Sequence, residues 1–249
     1  MASKTLALIL DYNFPEISEP LYESLLPHVD DTHDLAILDN CSPVDRRSKY
    51  AKYVSPANDF FTGGLNHALK IIRDNPEYDS LLFITNDITV DTFPLVQPMR
   101  KAMFEQGYHW VGASVHEPPH GTHWAQTRPY GATEPRECLW FDLQCTLFHR
   151  ELVEAIGAYD MVMKYGWGPD IYTGMVVEDH GWKAAMLDTV RVTHAGHNNT
   201  MAAGRSTIDE GSYTSKAHAG MEAFFMQNGE RWNRYHEFRF WANTYRYPN

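Results

Sequence analysis

Three short, continuous apolar runs, each stopped by an acid or an amide, constrain this chain more than any other feature. Leu6-Ala7-Leu8-Ile9-Leu10 ends at Asp11-Tyr12-Asn13, Leu35-Ala36-Ile37-Leu38 at Asp39-Asn40, and Leu81-Leu82-Phe83-Ile84 at Thr85-Asn86-Asp87. Apolar runs without alternation are the pattern of strands buried on both faces, which arises when helices cover a parallel sheet. Parallel neighbours need a crossover, and residues at helical spacing supply one in each interval. Ile17, Leu21, Leu25 and Leu26 mark a helix within Glu16 to His28; Leu65, Ala68, Leu69 and Ile72 mark another, expected to open after Gly63-Gly64. The stretch up to residue 90 therefore reads βαβαβ. Ligands of such sheets sit outside the carboxyl ends of the strands, so the three polar endings are expected to converge.

Beyond residue 90 the pattern predicts a helix from Val96 to Phe104 and a strand from Trp110 to Ala113. Ser114 to Glu137 has no period and many prolines, and is expected to be a long loop acting as a lid. A strand over Leu139 to Phe148, a helix over Glu151 to Ile156 closed by Gly157, and a last core strand over Val190 to Thr193 complete an α/β reading. The segment from Phe224 to Tyr247 mixes aromatic residues with Arg231, Arg234, Arg239 and Arg246. It is read as a helical, aromatic-rich C-terminal extension that packs on the domain or on a second copy of the chain.

With 21 Lys and Arg against 32 Asp and Glu, the formal charge is −11, which disfavours a general nucleic-acid binder. The three cysteines, Cys41, Cys138 and Cys145, are too sparse for a disulfide framework and suggest a cytoplasmic, reducing setting. No apolar run is long enough for a signal-peptide core or a membrane span. His116-Glu117-Pro118-Pro119-His120 fits the zinc-binding HExxH string, but adjacent prolines forbid the helix that string requires. Phosphate-binding glycine loops are absent, so phosphates, if bound, would be held through a divalent cation, for which Asp87 at a strand end is suited; Asp87 could equally form a turn or cap a helix. His194, ending another strand of the same sheet, is a candidate second ligand. Gly166-Trp167-Gly168-Pro169-Asp170 is a constrained turn presenting one carboxylate, as a general base requires; Asp170 could equally cap a helix starting at Ile171.

Taken in order, Leu-Asp-Tyr-Asn (10 to 13), Leu-Asp-Asn-Cys-Ser-Pro (38 to 43), Asn58 through Gly63-Gly64-Leu65-Asn66, Phe-Ile-Thr-Asn-Asp (83 to 87), Ile-Gly-Ala-Tyr-Asp (156 to 160), Gly-Trp-Gly-Pro-Asp (166 to 170) and Val-Thr-His (192 to 194) resemble the family 2 glycosyltransferases. The resemblance spans about residues 5 to 200 and implies the GT-A fold, a single Rossmann-like mixed sheet flanked by helices. It implies a catalytic domain over 1–200, with a donor half over about 1–90 and an acceptor half over about 91–200, and an extension over 201–249. It also implies a hexosyltransferase using a nucleotide-sugar donor, a UDP-sugar being favoured, with Mn²⁺ or Mg²⁺. Asp11, Tyr12, Asn13, Asp39, Asn40, Gly64, Asn66 and Asn86 would line the donor pocket. Asp87 would be the last acid of the family's DxD metal motif, and His194 the second metal ligand. The sequence departs from that motif, because Thr85 stands where the first Asp would be. Asp170 falls at the place of the catalytic base, which implies inversion at the anomeric carbon, although a retaining outcome stays open. His123, Trp124, Arg128 and Trp167 are expected to contact the acceptor or to belong to the lid. The acceptor would be a glycan or another hydroxyl; a modified nucleobase and a homo-oligomer stay open.

Two readings of other classes compete. A nucleotidyltransferase would carry a basic phosphate loop near its N-terminus, yet residues 10 to 20 contain no Lys or Arg. A non-catalytic sugar-binding protein would use the aromatic platforms but gives no reason for Asp87 and Asp170 to end separate elements.

Overall fold

The computed structural model describes residues 3–116, 125–194 and 210–227. Its centre is a mixed sheet with β1 (Lys4–Asp11), β2 (His33–Asp39), β3 (Ala51–Val54), β4 (Tyr78–Thr85), β5 (Ile88–Val90), β6 (Trp110–His116), β7 (Arg136–Glu137), β8 (Cys145–His149) and β9 (Ala184–His194). The spatial order is β3-β2-β1-β4-β8-β6-β9-β5, with β7 paired to β9. Strands β1 to β4 run parallel, Leu8 lying between Ala36 and Phe83. β8 reverses direction against β4 and β6 reverses again, so β6 and β9 point the same way as β1, β2 and β4. His194 at the end of β9 therefore reaches the same sheet edge as Asp11, Asp39 and Thr85.

Alternate residues of each strand face opposite layers, which is why the runs are apolar throughout. Leu6, Leu8, Leu38, Phe83 and Phe148 pack beneath α2 (Phe60–Asp74), α4 (Arg150–Ile156), α5 (Pro169–Asp179) and α6 (Glu210–Met226). Ala7, Ile9, Ile37, Leu82 and Leu147 pack beneath α1 (Pro15–Leu25) and α3 (Val96–Gln106). Pro15 opens α1 at a position where the missing N–H costs nothing.

Three expectations are corrected. Helix α2 starts at Phe60, so Gly63 and Gly64 lie inside it. Gly64 is needed there because a Cβ would stand 2.6 Å from Leu10 Cδ1, and its absence lets the helix settle on β1. The strand expected over Leu139 to Phe148 is confined to Cys145–His149. Leu139 and Trp140 instead run close under α5, where a Cβ on Gly174 would meet the Leu139 carbonyl at 2.4 Å. The described part of Ser114 to Glu137 is ordered: β6 continues to His116, a 3-10 turn covers Ala125–Thr127, and β7 joins the sheet. A buried ion pair fixes it. Asp188 accepts from Ser114 Oγ (2.6 Å), Arg136 Nε (2.8 Å) and the backbone N–H groups of Tyr130 and Ala132, while Arg136 also donates to the Gln126 and Arg128 carbonyls.

Candidate active site

The carboxyl edge of the sheet gathers most of the polar strand endings singled out in the sequence. Asp11 and Asp39 close neighbouring strands, in register with each other, and both are fully buried. Asn86 Nδ2 donates to Asp11 Oδ1 at 2.8 Å, and the backbone N–H of Ser42 donates to Asp39 Oδ1 at 2.8 Å. The second oxygens, Asp11 Oδ2 and Asp39 Oδ2, are buried without a hydrogen bond of full geometry, as is Asn40 Oδ1, although the Ser18 hydroxyl and the Phe14 N–H lie near enough to Asp11 to pull on its carboxyl. Burial pushes the Asp11 carboxyl up to about 6; the Asn86 bond opposes this, and the Asp39 charge adds to it.

Local backbone explains how these groups are held. Asn13 takes a left-handed conformation (φ 65°), its N–H bonded to Ser42 Oγ at 2.8 Å, and Arg46 clamps its carbonyl at 2.9 Å. Asn40 donates to Asn58 Oδ1 and to the Phe60 carbonyl, tying the end of β2 to the start of α2. Tyr12 is half-buried beside them. Arg47, which sequence reasoning missed, brings its Nε to 3.4 Å from Asp39 Oδ1. The adjacent Arg46-Arg47 pair in a chain of net negative charge was the available signal. Asn66 sits differently from the expected pocket lining. Its Nδ2 donates to the Tyr159 carbonyl (2.9 Å) and its Oδ1 accepts the Tyr159 N–H (2.7 Å), so the amide fastens α2 to the turn after α4.

Asp87 and His194 meet at this edge because Ile88 pairs with His194 across β5 and β9. His194 Nε2 lies 3.0 Å from Asp87 Oδ2. Burial works against ionisation of Asp87, but the hydrogen bond and charge of His194 hold its carboxyl below the ordinary range. Asp87 Oδ1 is buried without a hydrogen bond of full geometry, although the Thr85 hydroxyl and the Asp87 N–H lie near enough to the carboxylate to help hold it ionised. A carboxylate oxygen held only by such poorly aligned donors beside an imidazole fits a divalent cation, which could take that oxygen and His194 as two ligands. Thr85, in place of an acid, anchors the strand end through its N–H to the Gln144 carbonyl at 2.8 Å.

The turn from Tyr165 to Asp170 crosses the same edge. Gly166 (φ 90°) and Gly168 (φ 104°) adopt backbone that side chains avoid, and Cβ atoms there would meet Phe61 and Met163. Helix α5 begins at Pro169, with Gly168 rather than Asp170 before it, so Asp170 stands in the first turn. Its Oδ1 accepts the Gly168 N–H at 3.2 Å. Burial, together with the nearby Asp142 charge, pushes its carboxyl up to about 7, against the pull of the backbone N–H groups of Ile171 and Gly168. Asp142 lies two residues before Gln144 and thus beside the end of β4. Helix α6 packs over the turn through Met221 and Phe225, which a Cβ on Gly168 would touch at 3.3 and 3.2 Å. From α6, Tyr213 donates to the Tyr165 carbonyl, and burial and the Asp87 charge push its phenol up to about 12. Neither Asp142 nor Tyr213 belongs to a motif, and sequence reasoning passed over both. Of the expected lid and acceptor residues, Trp167 is half-buried with its ring edge-on to His218, and Arg128 is exposed in the anchored part of the loop. His123, Trp124 and the chain after residue 227 lie outside the described residues.

No protein-family model and no curated protein sequence matches the chain. Among solved structures it is similar to GalNAc-T7 with UDP, GalNAc and Mn²⁺: TM-score 0.63, 11% identity, 78% of this chain and 44% of that one. The chain therefore spans less than half of that structure. It is similar to the mannosyltransferase PcManGT from Pyrobaculum calidifontis in complex with GDP-Man and Mn²⁺ (TM-score 0.55, 15% identity, 89% and 70% of the two chains). It is also similar to residues 1–349 of S. aureus TarS (TM-score 0.55, 13% identity, 92% and 73%). Identities this low carry the fold and nothing finer. The mixed sheet flanked by helices, with its polar carboxyl edge, is the GT-A fold of these structures.

Proposed function

We propose that this chain is a metal-dependent glycosyltransferase that moves a sugar from a nucleoside-diphosphate sugar to an acceptor hydroxyl, with Asp170 as general base. The observation that carries the reading is the set of buried acceptor atoms without a hydrogen bond of full geometry at one sheet edge: Asp11 Oδ2, Asp39 Oδ2, Asn40 Oδ1 and Asp87 Oδ1. Buried acceptors left bare are costly, and a ligand rich in N–H and O–H donors, together with a cation, would satisfy them. A ribosyl base on the Asp11, Asp39 and Asn40 side and a metal-held diphosphate at Asp87 fit that demand. The fold neighbours crystallised with UDP or GDP-Man and Mn²⁺ support the same class of donor.

Asp87 and His194 would hold the cation. A bound Mn²⁺ or Mg²⁺ would neutralise charge on the departing diphosphate. Asp170, with a carboxyl near 7, is ionised enough at neutral pH to accept a proton and basic enough to want it. It takes the proton of the acceptor hydroxyl as that oxygen bonds to the anomeric carbon and the bond from carbon to diphosphate oxygen breaks on the opposite side. The product is inverted. Residues 1–90 would form the donor half and residues 91–200 the acceptor half.

A thermal-shift panel of UDP, GDP, dTDP and CMP, free and as sugar conjugates, with and without Mn²⁺, tests the donor. A ligand at 100 times its Kd adds about 2.7 kcal/mol, or roughly 5–10 °C for a domain of this size. A Mn²⁺-dependent shift confined to one nucleotide class is expected. No shift with any nucleotide on a folded protein would overturn the reading and favour a non-catalytic sugar binder.

A further inference from the structure

A second cluster of metal-ligating groups lies at the opposite, amino edge of β6, away from the site above. His109 precedes β6 and His149 ends β8; the strands are antiparallel neighbours, and the His149 N–H donates to the His109 carbonyl at 3.0 Å. This sets the two imidazoles side by side, with ring centres 5.0 Å apart. Glu151, in the first turn of α4, reaches back over both. Its Oε2 is 3.3 Å from His109 Nε2 and 3.8 Å from His149 Nδ1. One ligand atom from each of the three residues lies within 4.8 Å of the others.

We infer that His109, His149 and Glu151 form a binding site for a divalent transition-metal ion of the zinc class, independent of the glycosyl-transfer reading. Tetrahedral zinc with bonds of about 2.0–2.1 Å sets its ligand atoms roughly 3.4 Å apart; the two carboxylate–imidazole separations already lie close to this, and a small turn of Glu151 together with an approach of the two imidazoles, now within 4.8 Å of each other, completes the set. Glu151 is 61% exposed and free to make it. The histidines are prearranged: Trp182 lies flat against His109 (4.5 Å, 2° between planes) and His180 stacks on Trp182 at 4.3 Å. Burial and the neighbouring His109 keep the His149 imidazole below its ordinary range, which favours the neutral form. Two imidazoles and one carboxylate select zinc, cobalt or nickel over Mg²⁺ and Ca²⁺, which prefer all-oxygen sites. The cluster is thus softer than the Asp87 and His194 pair.

Proton placement limits the affinity. His149 Nδ1 accepts the Glu151 N–H at 3.2 Å, a helix cap that metal binding there would displace. His109 Nδ1 is buried without a hydrogen-bond partner, so it lacks the acceptor that usually supports a ligating histidine. Missing such support costs about 10–100-fold, which predicts a reversible site rather than a permanently loaded one.

The test uses the full chain, stripped with chelator and carrying Asp87→Ala to remove the other metal candidate. Titration with Co²⁺ is expected to give one equivalent of a visible-absorbing, low-coordinate complex that Zn²⁺ displaces and millimolar Mg²⁺ does not. Glu151→Gln should weaken Co²⁺ at least about tenfold, and adding His149→Gln should abolish the band, with far-UV circular dichroism unchanged. An unchanged Co²⁺ affinity in the double variant would assign binding to other histidines and overturn the inference. Failure of the folded Asp87→Ala protein to bind Co²⁺ at all would overturn it as well.

Discussion

Asp170→Asn separates the chemistry of the site from its stability, and the structure gives both magnitudes. A carboxyl raised from 3.8 to about 7 holds its proton more tightly when folded than unfolded. Its contribution to stability is therefore fullest below the unfolded pKa near 4 and is lost as pH rises toward 7. Relative to low pH, the loss amounts to roughly 4 kcal/mol above pH 7, as an upper bound, and to roughly 1.5 kcal/mol at pH 5. Asparagine keeps the side-chain oxygen that accepts the Gly168 N–H but carries no charge to bury. The variant should gain on wild type by about 2–3 kcal/mol more at pH 8 than at pH 5, roughly 5–10 °C in differential scanning calorimetry at the two pH values. Asp11 shifts in the same direction but is present in both proteins and cancels. In the same variant, sugar transfer should fall at least about 10²-fold, the usual effect of losing a general base. A stability difference that does not change with pH, or a transfer rate within a few-fold of wild type, would refute the assignment of Asp170 as a half-buried base.

Other outcomes follow from the packing and charge of named residues. Nucleotide affinity should rise about tenfold between pH 5 and pH 7 as Asp11, with its carboxyl near 6, ionises to accept ligand donors; Asp11→Asn should flatten that profile in isothermal titration. Gly64→Ala should cost about 1–3 kcal/mol in urea unfolding, because its Cβ would press on Leu10 at 2.6 Å. Asp188→Ala should cost about 3–5 kcal/mol by leaving the Arg136 guanidinium buried and unpaired, and should expose the segment from Ala125 to Arg136 to protease.

The parallel half of the fold was legible because its strands are buried on both faces and their endings are polar, a contrast visible without knowing any contact. β3 was not, since its four residues alternate between half-buried and exposed and lie at the sheet edge. The start of α2 was misread because Gly63-Gly64 resembles a loop; Gly64 serves close packing against Leu10 of β1 and Gly63 leaves room for Asp59, demands that local propensity does not carry. Likewise, Leu139 to Gln144 has the composition of a strand, but Leu139 and Trp140 are taken up by contact with α5. The residues closing strands could be placed together from the sequence because topology alone sends them to one edge. Asp142 and Tyr213 were passed over because they arrive there through packing: Asp142 from a loop under α5, Tyr213 from a helix that covers the Gly166-Trp167-Gly168 turn. Asn66 shows the converse. Its place in a recurring string suggested a ligand contact, whereas its amide is committed to the backbone of Tyr159.

The central claim is that Asp87 and His194 hold a cation which in turn holds a nucleoside diphosphate. Electron paramagnetic resonance of Mn²⁺, titrated with wild type, Asp87→Ala and His194→Ala in the presence and absence of the nucleotide that gives a thermal shift, tests it most directly. The free-ion signal should fall steeply with wild type plus nucleotide, fall weakly with wild type alone, and persist with both variants. Equal Mn²⁺ uptake by wild type and Asp87→Ala in the presence of nucleotide would contradict the account.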